Sequence, residues 1–281
     1  MTSQQPLKHF SRQYLREEVL PSTFCPGCGA GTIINCFLKA VNELGHQNLD
    51  RFVFCSGIGC SAWIPSPHFK ADSIHSTHGR AVPVAMGVKL ARPDLKVVVF
   101  GGDGDLAGIG LNHLIHAARR NVDLLTIMVN NMIYGMTGGQ VAPTTPKGRR
   151  TTTTPYGNTE YPLDAANVIT AAGAAYVARW TTHHVFPLKD SIKKALGKKG
   201  FSFIEVYSQC HTMYGRRVGF KNSVDMVRWF KDSSVTVSRA KTMTAEELEG
   251  KLVIGEIVER EKLGLLENLE LVAKEATKIH D

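Results

Sequence analysis

Cys25-Pro26-Gly27-Cys28-Gly29 sets two thiols three residues apart on a Pro-Gly turn, just ahead of a helical pattern. Thiolates at that spacing share one metal ion or one iron–sulfur cluster, and glycine lets backbone N–H groups face the sulfurs. Two ligands do not fill a four-coordinate site. Of the six cysteines, Cys36 lies inside a helical pattern and Cys55 inside an apolar run, where small buried hydrophobes belong. Cys60 and Cys210 remain as residues that could join Cys25 and Cys28. Spacing alone fits a structural zinc and a redox cluster equally. A second set of donors is hard: Gly101-Gly102-Asp103-Gly104-Asp105 and, downstream, Asn130-Asn131. Glycines at a strand-to-helix turn let backbone N–H groups approach a phosphate. Carboxylates there would repel a bare phosphate but suit one bridged by Mg²⁺, with the amide oxygen of Asn131 as a further ligand.

Strand ends must carry these residues. The runs Arg51–Ser56, Lys96–Gly101, Asp123–Val129 and Phe201–Ser208 are rich in Val, Ile, Leu and Phe without strict alternation, as in strands covered on both faces. Helical patterns alternate with them at Gly31–Leu44, Ala81–Ala91, Ala107–Arg120, Asp164–Ala172 and Phe186–Leu196. The order predicts an α/β fold, a mostly parallel sheet with helices on both faces. Such sheets bind ligands at the C-terminal edge of the strands. Asp103 and Asn131 meet at that edge if their strands are neighbours, and Cys60 and Cys210 leave strands at the same edge. Gly135 to Asn158, rich in Thr, Gly and Pro, reads as a long ordered loop of functional purpose. Residues 1–215 form the ligand-binding domain in this reading. Residues 216–281, more polar, with helical segments Ser223–Lys231, Thr244–Gly250 and Glu267–Ile279, form an extension that packs on the domain or on a partner subunit.

The 281 residues are 43% hydrophobic, enough for a large core. No run approaches the roughly 20 apolar residues of a membrane span, and Met1 to Leu20 has no apolar stretch like that of a signal peptide. The expectation is a cytoplasmic protein without membrane contact. The net charge of +8 is scattered over the chain and suits an acidic protein partner or an anionic cofactor as well as a nucleic acid. A basic nucleic-acid binder with a four-cysteine zinc knuckle would leave Asp103 and Asn131 without a purpose, so no nucleic-acid partner is expected. His113 and His116, three apart on a helix, imitate a metal pair; surface or packing roles are expected of them.

Gly102-Asp103-Gly104, followed after 25 residues by Asn130-Asn131, resembles the diphosphate-binding signature of thiamin diphosphate enzymes. The resemblance implies Mg²⁺ held by the side chains of Asp103 and Asn131 and the carbonyl of Ile133. Together with Cys25-Pro-Gly-Cys-Gly, Gly57-Ile-Gly-Cys60-Ser, His78-Gly-Arg-Ala81 and Asn130-Asn-Met-Ile-Tyr-Gly-Met-Thr-Gly-Gly-Gln140, the chain resembles the β subunit of 2-oxoacid:ferredoxin oxidoreductases over about residues 10–260. That likeness implies the thiamin diphosphate-binding fold and one 4Fe-4S cluster on Cys25, Cys28, Cys60 and Cys210. It implies a cofactor pocket formed by Ile58, Gly59, Cys60, Ser61, His78, Gly102, Asp103, Gly104, Asp105, Asn131, Ile133, Tyr134, Gly135, Met136 and Thr137.

The activity implied is oxidative decarboxylation of a 2-oxoacid with coenzyme A, giving acyl-CoA and CO₂ and passing electrons through the cluster to ferredoxin, with reversal to fix CO₂. No residue of this chain reads as a general acid or base. The resemblance places the activating glutamate on an α subunit with the pyrimidine-binding module, in an (αβ)₂ assembly, so the chain alone is expected to be inactive. Cys210-His-Thr-Met-Tyr-Gly-Arg216-Arg217 is similar to the 2-oxoglutarate branch, with succinyl-CoA as product, and an arginine there would suit the second substrate carboxylate. Trp63 departs from that branch, standing near where some members have a lysine. The rival readings are pyruvate or branched-chain 2-oxoacids as substrate, and a non-oxidative thiamin-dependent decarboxylase subunit with structural zinc.

Overall fold

The computed structural model describes residues 9–278. Among these residues eight strands form one sheet: β1 (Phe52–Ser56), β2 (Asp72–His75), β3 (Lys96–Gly102), β4 (Leu125–Asn130), β5 (Tyr176–Thr181), β6 (Ser202–Tyr207), β7 (Ser234–Thr236) and β8 (Leu252–Glu259). Their spatial order is β2-β1-β3-β4-β6-β5-β8-β7. Every pairing is parallel except β5 with β8. The helices are α1 (Gly29–Glu43), α2 (Ala81–Ala91), α3 (Leu111–Arg120), α4 (Ala165–Ala171), α5 (Val185–Gly197), α6 (Ser223–Ser233), α7 (Val237–Ala240), α8 (Ala245–Leu248) and α9 (Leu265–Lys278). No helix among the described residues is long and apolar enough to cross a membrane.

Successive strand residues point to opposite faces, and the core divides accordingly. Phe52, Phe54, Val98, Phe100, Ile127, Ile204 and Val206 pack with α1 and α5 on one face. Val53, Cys55, Val97, Val99, Met128 and Phe203 pack with α2, α3 and α4 on the other. Burial on both faces is why these strands are continuously apolar. On the first face Phe37 of α1 meets Phe52, Phe54, Phe69 and Phe100, with ring centroids 5.3–6.4 Å apart.

The four anticipated strands are present within two residues of their expected ends. The others carried weaker signals: β2 is exposed throughout, β5 contains the buried Arg179, and β8 interrupts its apolar pattern with Gly255 and Glu256. The helix expected over Ala107–Arg120 is broken. A π-helical turn spans Gly104–Ile109, Gly108 leaves helical geometry at φ −91°, ψ −113°, and α3 starts at Leu111. The break brings Gly110 against Gly79 and so joins the turn after β3 to the loop before α2. Beyond residue 215 the chain returns to the sheet through β8, while most of α9 stays exposed. The first eight residues and the expected helix end at Ile279 lie outside the described residues.

Candidate functional site

Strands β1, β3, β4 and β6 are consecutive and parallel, so their C-terminal ends open on one edge. Register fixes what stands there: Ser56 pairs with Phe100, Gly102 with Val129, and Asn130 with Tyr207. The segments after these residues carry Cys60, Asp103, Asn131 and Cys210. They enclose one cavity of about 540 Å³, lined by every residue named above for the cluster, the metal ion and the cofactor pocket. Cys36 and Cys55 are buried in the two cores instead. His116 is exposed and His113 partly buried on α3, and neither lines the cavity.

Asp103 is 2% exposed. Burial pushes its carboxyl up to about 7, against a partial offset from the Thr144 hydroxyl, which donates to Oδ2. A divalent cation in the cavity would supply the missing counter-charge. Beside it the turn after β4 is held open: Met132 adopts a left-handed conformation (φ 62°), Asn130 Oδ1 accepts from Met132 N at 3.1 Å, and Asn131 Oδ1 accepts from Ile133 N at 3.2 Å. Thr145 Oγ1 donates to the Met132 carbonyl at 2.7 Å. The long threonine-rich loop therefore braces both hard-donor segments through Thr144 and Thr145.

Asp105 ties three segments together. Its Oδ1 accepts from Gly79 N at 2.6 Å and Ile58 N at 3.3 Å, and lies 2.7 Å from His78 Nδ1 without hydrogen-bond alignment. Gly104 must be glycine, because a Cβ would sit 2.1 Å from the Tyr134 ring, whose hydroxyl donates to the Gly104 carbonyl at 3.1 Å. Among the described residues, Ser61 Oγ, His78 Nδ1 and Asp105 Oδ2 are buried without hydrogen-bond partners. Native proteins rarely leave such atoms unmatched, and an anion with its cation would satisfy them. The donor set fits a metal-bridged diphosphate.

The thiols occupy the same cavity. Cys28 N donates to Cys25 O at 2.9 Å, closing the Pro-Gly turn, and Cys28 stands immediately before α1. Gln209 clamps this turn to the end of β6: its carbonyl accepts from Gly29 N at 3.2 Å, Nε2 donates to Gly27 O at 3.2 Å, and Oε1 accepts from Thr182 Oγ1 at 2.5 Å. Gly29 permits this approach, since a Cβ would meet Ser208 Oγ at 2.1 Å. A Cβ on Gly135 would lie 3.6 Å from Cys210 Sγ and 3.8 Å from Cys60 Sγ. Thr212 Oγ1 lies 3.8 Å from the sulfurs of both Cys25 and Cys210. Burial, reinforced by neighbouring thiols, holds Cys28 and Cys60 up to about 11, so ligation there must displace protons. Among the described residues no three His, Cys, Asp or Glu side chains are grouped about a single ion position, while all four thiols line this one cavity.

Arg216 and Arg217 do not line the cavity. Arg217 donates to the carbonyls of Met213 (2.7 Å) and Gly138 (3.2 Å). Trp63 does line it. Sequence reading missed Thr144, Asn130 as a brace, and Gln209. Their signals were weak but present: the loop was already marked as functional, and the other two adjoin assigned ligands.

A parallel α/β sheet with phosphate-compatible turns and a buried carboxyl at its C-terminal edge defines the class of thiamin diphosphate-binding domains, and residues 57–206 match the family model for the thiamine pyrophosphate enzyme C-terminal TPP-binding domain. The chain is 52% identical to the 2-oxoglutarate synthase subunit KorB of Methanocaldococcus jannaschii, over 93% of this chain and 96% of that one. It is 44% identical to the 2-oxoacid:ferredoxin oxidoreductase subunit beta of Saccharolobus solfataricus, over 67% and 62% respectively. The solved 2-oxoglutarate:ferredoxin oxidoreductase from Magnetococcus marinus, with 2-oxoglutarate, coenzyme A and succinyl-CoA bound, superposes with a TM-score of 0.84 at 33% identity, covering 98% of this chain and 93% of that one. This chain belongs to the β subunits of the 2-oxoacid:ferredoxin oxidoreductases, a family of thiamin diphosphate enzymes.

Proposed function

We propose that this chain is the subunit of a 2-oxoglutarate:ferredoxin oxidoreductase that holds thiamin diphosphate, Mg²⁺ and one 4Fe-4S cluster. The enzyme converts 2-oxoglutarate and coenzyme A to succinyl-CoA and CO₂, passes two electrons to ferredoxin, and runs in reverse to fix CO₂ when ferredoxin is sufficiently reducing. The observation that carries the reading is the convergence of hard oxygen donors and four thiols on one cavity. The substrate assignment is supported by relatives at 50–52% identity, which are named for 2-oxoglutarate.

Asp103, Asn131 and the Ile133 carbonyl hold the metal ion. Backbone N–H groups of the Gly102–Asp105 turn, with Ser61 and His78, receive the diphosphate. Asp105 positions Ile58 and Gly79 around it. Tyr134 lies against Gly104 and keeps the turn from closing on itself. When bound, thiamin diphosphate supplies an electron sink for the departing CO₂, and the cluster supplies a one-electron path outward. Cys25, Cys28, Cys60 and Cys210 hold the cluster. Cys25 is exposed and gives the cluster an edge toward ferredoxin.

The chain acts in an (αβ)₂ assembly, with the cofactor-activating glutamate on the α subunit, and is inactive alone. Iron, sulfide, zinc and thiamin are to be measured in the complex purified without oxygen. About four irons and four sulfides per chain with stoichiometric thiamin are expected; zinc without iron or sulfide would sink the redox reading.

A further inference from the structure

Beneath the turn after β4 lies a buried ionic network that the chemistry above does not use. Glu205 is 1% exposed and Arg179 5% exposed. Arg179 Nε donates to Glu205 Oε2 at 2.7 Å, and its Nη2 reaches Asp164 at the start of α4. The other oxygen of Glu205 accepts from Asn130 Nδ2 at 2.7 Å. That bond fixes which way the Asn130 amide faces, leaving Oδ1 to accept from Met132 N. Met132 is the left-handed residue between the two metal-ligand positions Asn131 and Ile133. A left-handed conformation is unfavourable for a side chain of this size and persists where surrounding structure over-determines it.

We infer that Glu205 is a positioning residue for metal binding: pinned by Arg179, it orients Asn130, which holds the Asn131–Ile133 turn in its ligating shape before any cofactor arrives. The inference rests on the metal assignment under the proposed function. Neutral amides make the point chemically. A glutamine at 205 carries one acceptor and one donor end. If its oxygen faces Arg179, its NH₂ meets the NH₂ of Asn130, and relief comes by flipping Asn130. The flip then presents an NH₂ group to Met132 N–H, and the bond that shapes the turn is lost. Partners one layer behind metal ligands commonly change affinity by about 10–100-fold.

The test is Glu205→Gln in the full chain co-purified with its partner subunit, with the metal and cofactor stripped. Thiamin diphosphate affinity is titrated by intrinsic fluorescence at fixed Mg²⁺, and Mg²⁺ affinity at fixed thiamin diphosphate. Both should weaken about 10–100-fold. In Glu205→Gln/Asn130→Asp the donor and acceptor ends are exchanged, so the Met132 bond is restored and affinity should return most of the way to that of the parent. If Glu205→Gln does not fold, Asn130→Ala, which leaves the ion pair intact and removes the acceptor for Met132 N–H, should show the same loss. Thermal melting of the stripped proteins separates positioning from general weakening. Binding within threefold of the parent, or a loss that only tracks the unfolded fraction, would overturn the inference. A parent complex that shows no Mg²⁺-dependent thiamin diphosphate binding would overturn the functional reading as well, so the two failures are distinct.

Discussion

Replacing Asp103 by Asn should stabilise the cofactor-free protein while abolishing its purpose. Asp103 is fully enclosed, and burial raises its carboxyl from 3.8 to about 7. The unfolded chain therefore releases this proton first as pH rises, and the folded state loses stability progressively between about pH 4 and pH 7, with no further change above. Three pH units at about 1.4 kcal/mol each amount to about 4 kcal/mol, a large share of the 5–15 kcal/mol typical of a domain. Asparagine cannot ionise and still accepts from the Thr144 hydroxyl. Below pH 4 parent and variant should match; near pH 8 the variant should be the more stable by up to about 4 kcal/mol.

Chemical denaturation of the metal-free proteins between pH 4 and 8 measures this, and titration of every other group cancels in the difference. Mg²⁺ with thiamin diphosphate should then close most of that gap. At a hundredfold excess over its dissociation constant a ligand stabilises by about 2.7 kcal/mol, a gain expected for the parent and not for the variant. A pH-independent difference between the two would refute the burial argument, and an equal gain from the cofactor would refute the metal assignment.

Gly104→Ala would bring a Cβ to 2.1 Å from the Tyr134 ring; displacement of Tyr134 should cost about 1–3 kcal/mol and prevent cofactor retention, read by thiamin content after gel filtration. Gln209→Ala removes the clamp between the CPGCG turn and β6 and strands the buried Thr182 hydroxyl, a cost of about 1–3 kcal/mol. Its iron content after anaerobic purification should fall, while Mg²⁺-dependent thiamin diphosphate binding persists; equal iron content in parent and variant would count against the clamp.

The site was legible in outline because parallel register is local arithmetic. Once Lys96–Gly101 and Asp123–Val129 are read as neighbouring strands, Asp103 and Asn131 must adjoin, and the same logic brings Cys60 and Cys210 to that edge. Apolar continuity marked the central strands because both their faces are covered. It failed for β5, whose Arg179 is buried only because Glu205, 26 positions away, satisfies it. It failed for β2, an exposed edge without an apolar face. The helix after Asp105 was read as unbroken because a π-helical turn leaves no periodicity signal in six residues. Thr144 was hidden among like residues, since only the fold decides which threonine of Thr144-Thr145 or Thr151–Thr154 meets Asp103. The partners of Arg217 were equally hidden: its guanidinium serves the main-chain carbonyls of Met213 and Gly138, which sequence does not mark.

The most direct measurement is electron transfer from substrate by the anaerobically purified complex. Viologen or ferredoxin reduction is followed with 2-oxoglutarate, pyruvate and branched-chain 2-oxoacids in turn, each with and without coenzyme A. The expected result is coenzyme A-dependent reduction with 2-oxoglutarate as the preferred substrate, and none from this chain without its partner. Preference for another 2-oxoacid would contradict the substrate assignment, and a cofactor-loaded complex that reduces neither acceptor with any of them would contradict the oxidoreductase itself.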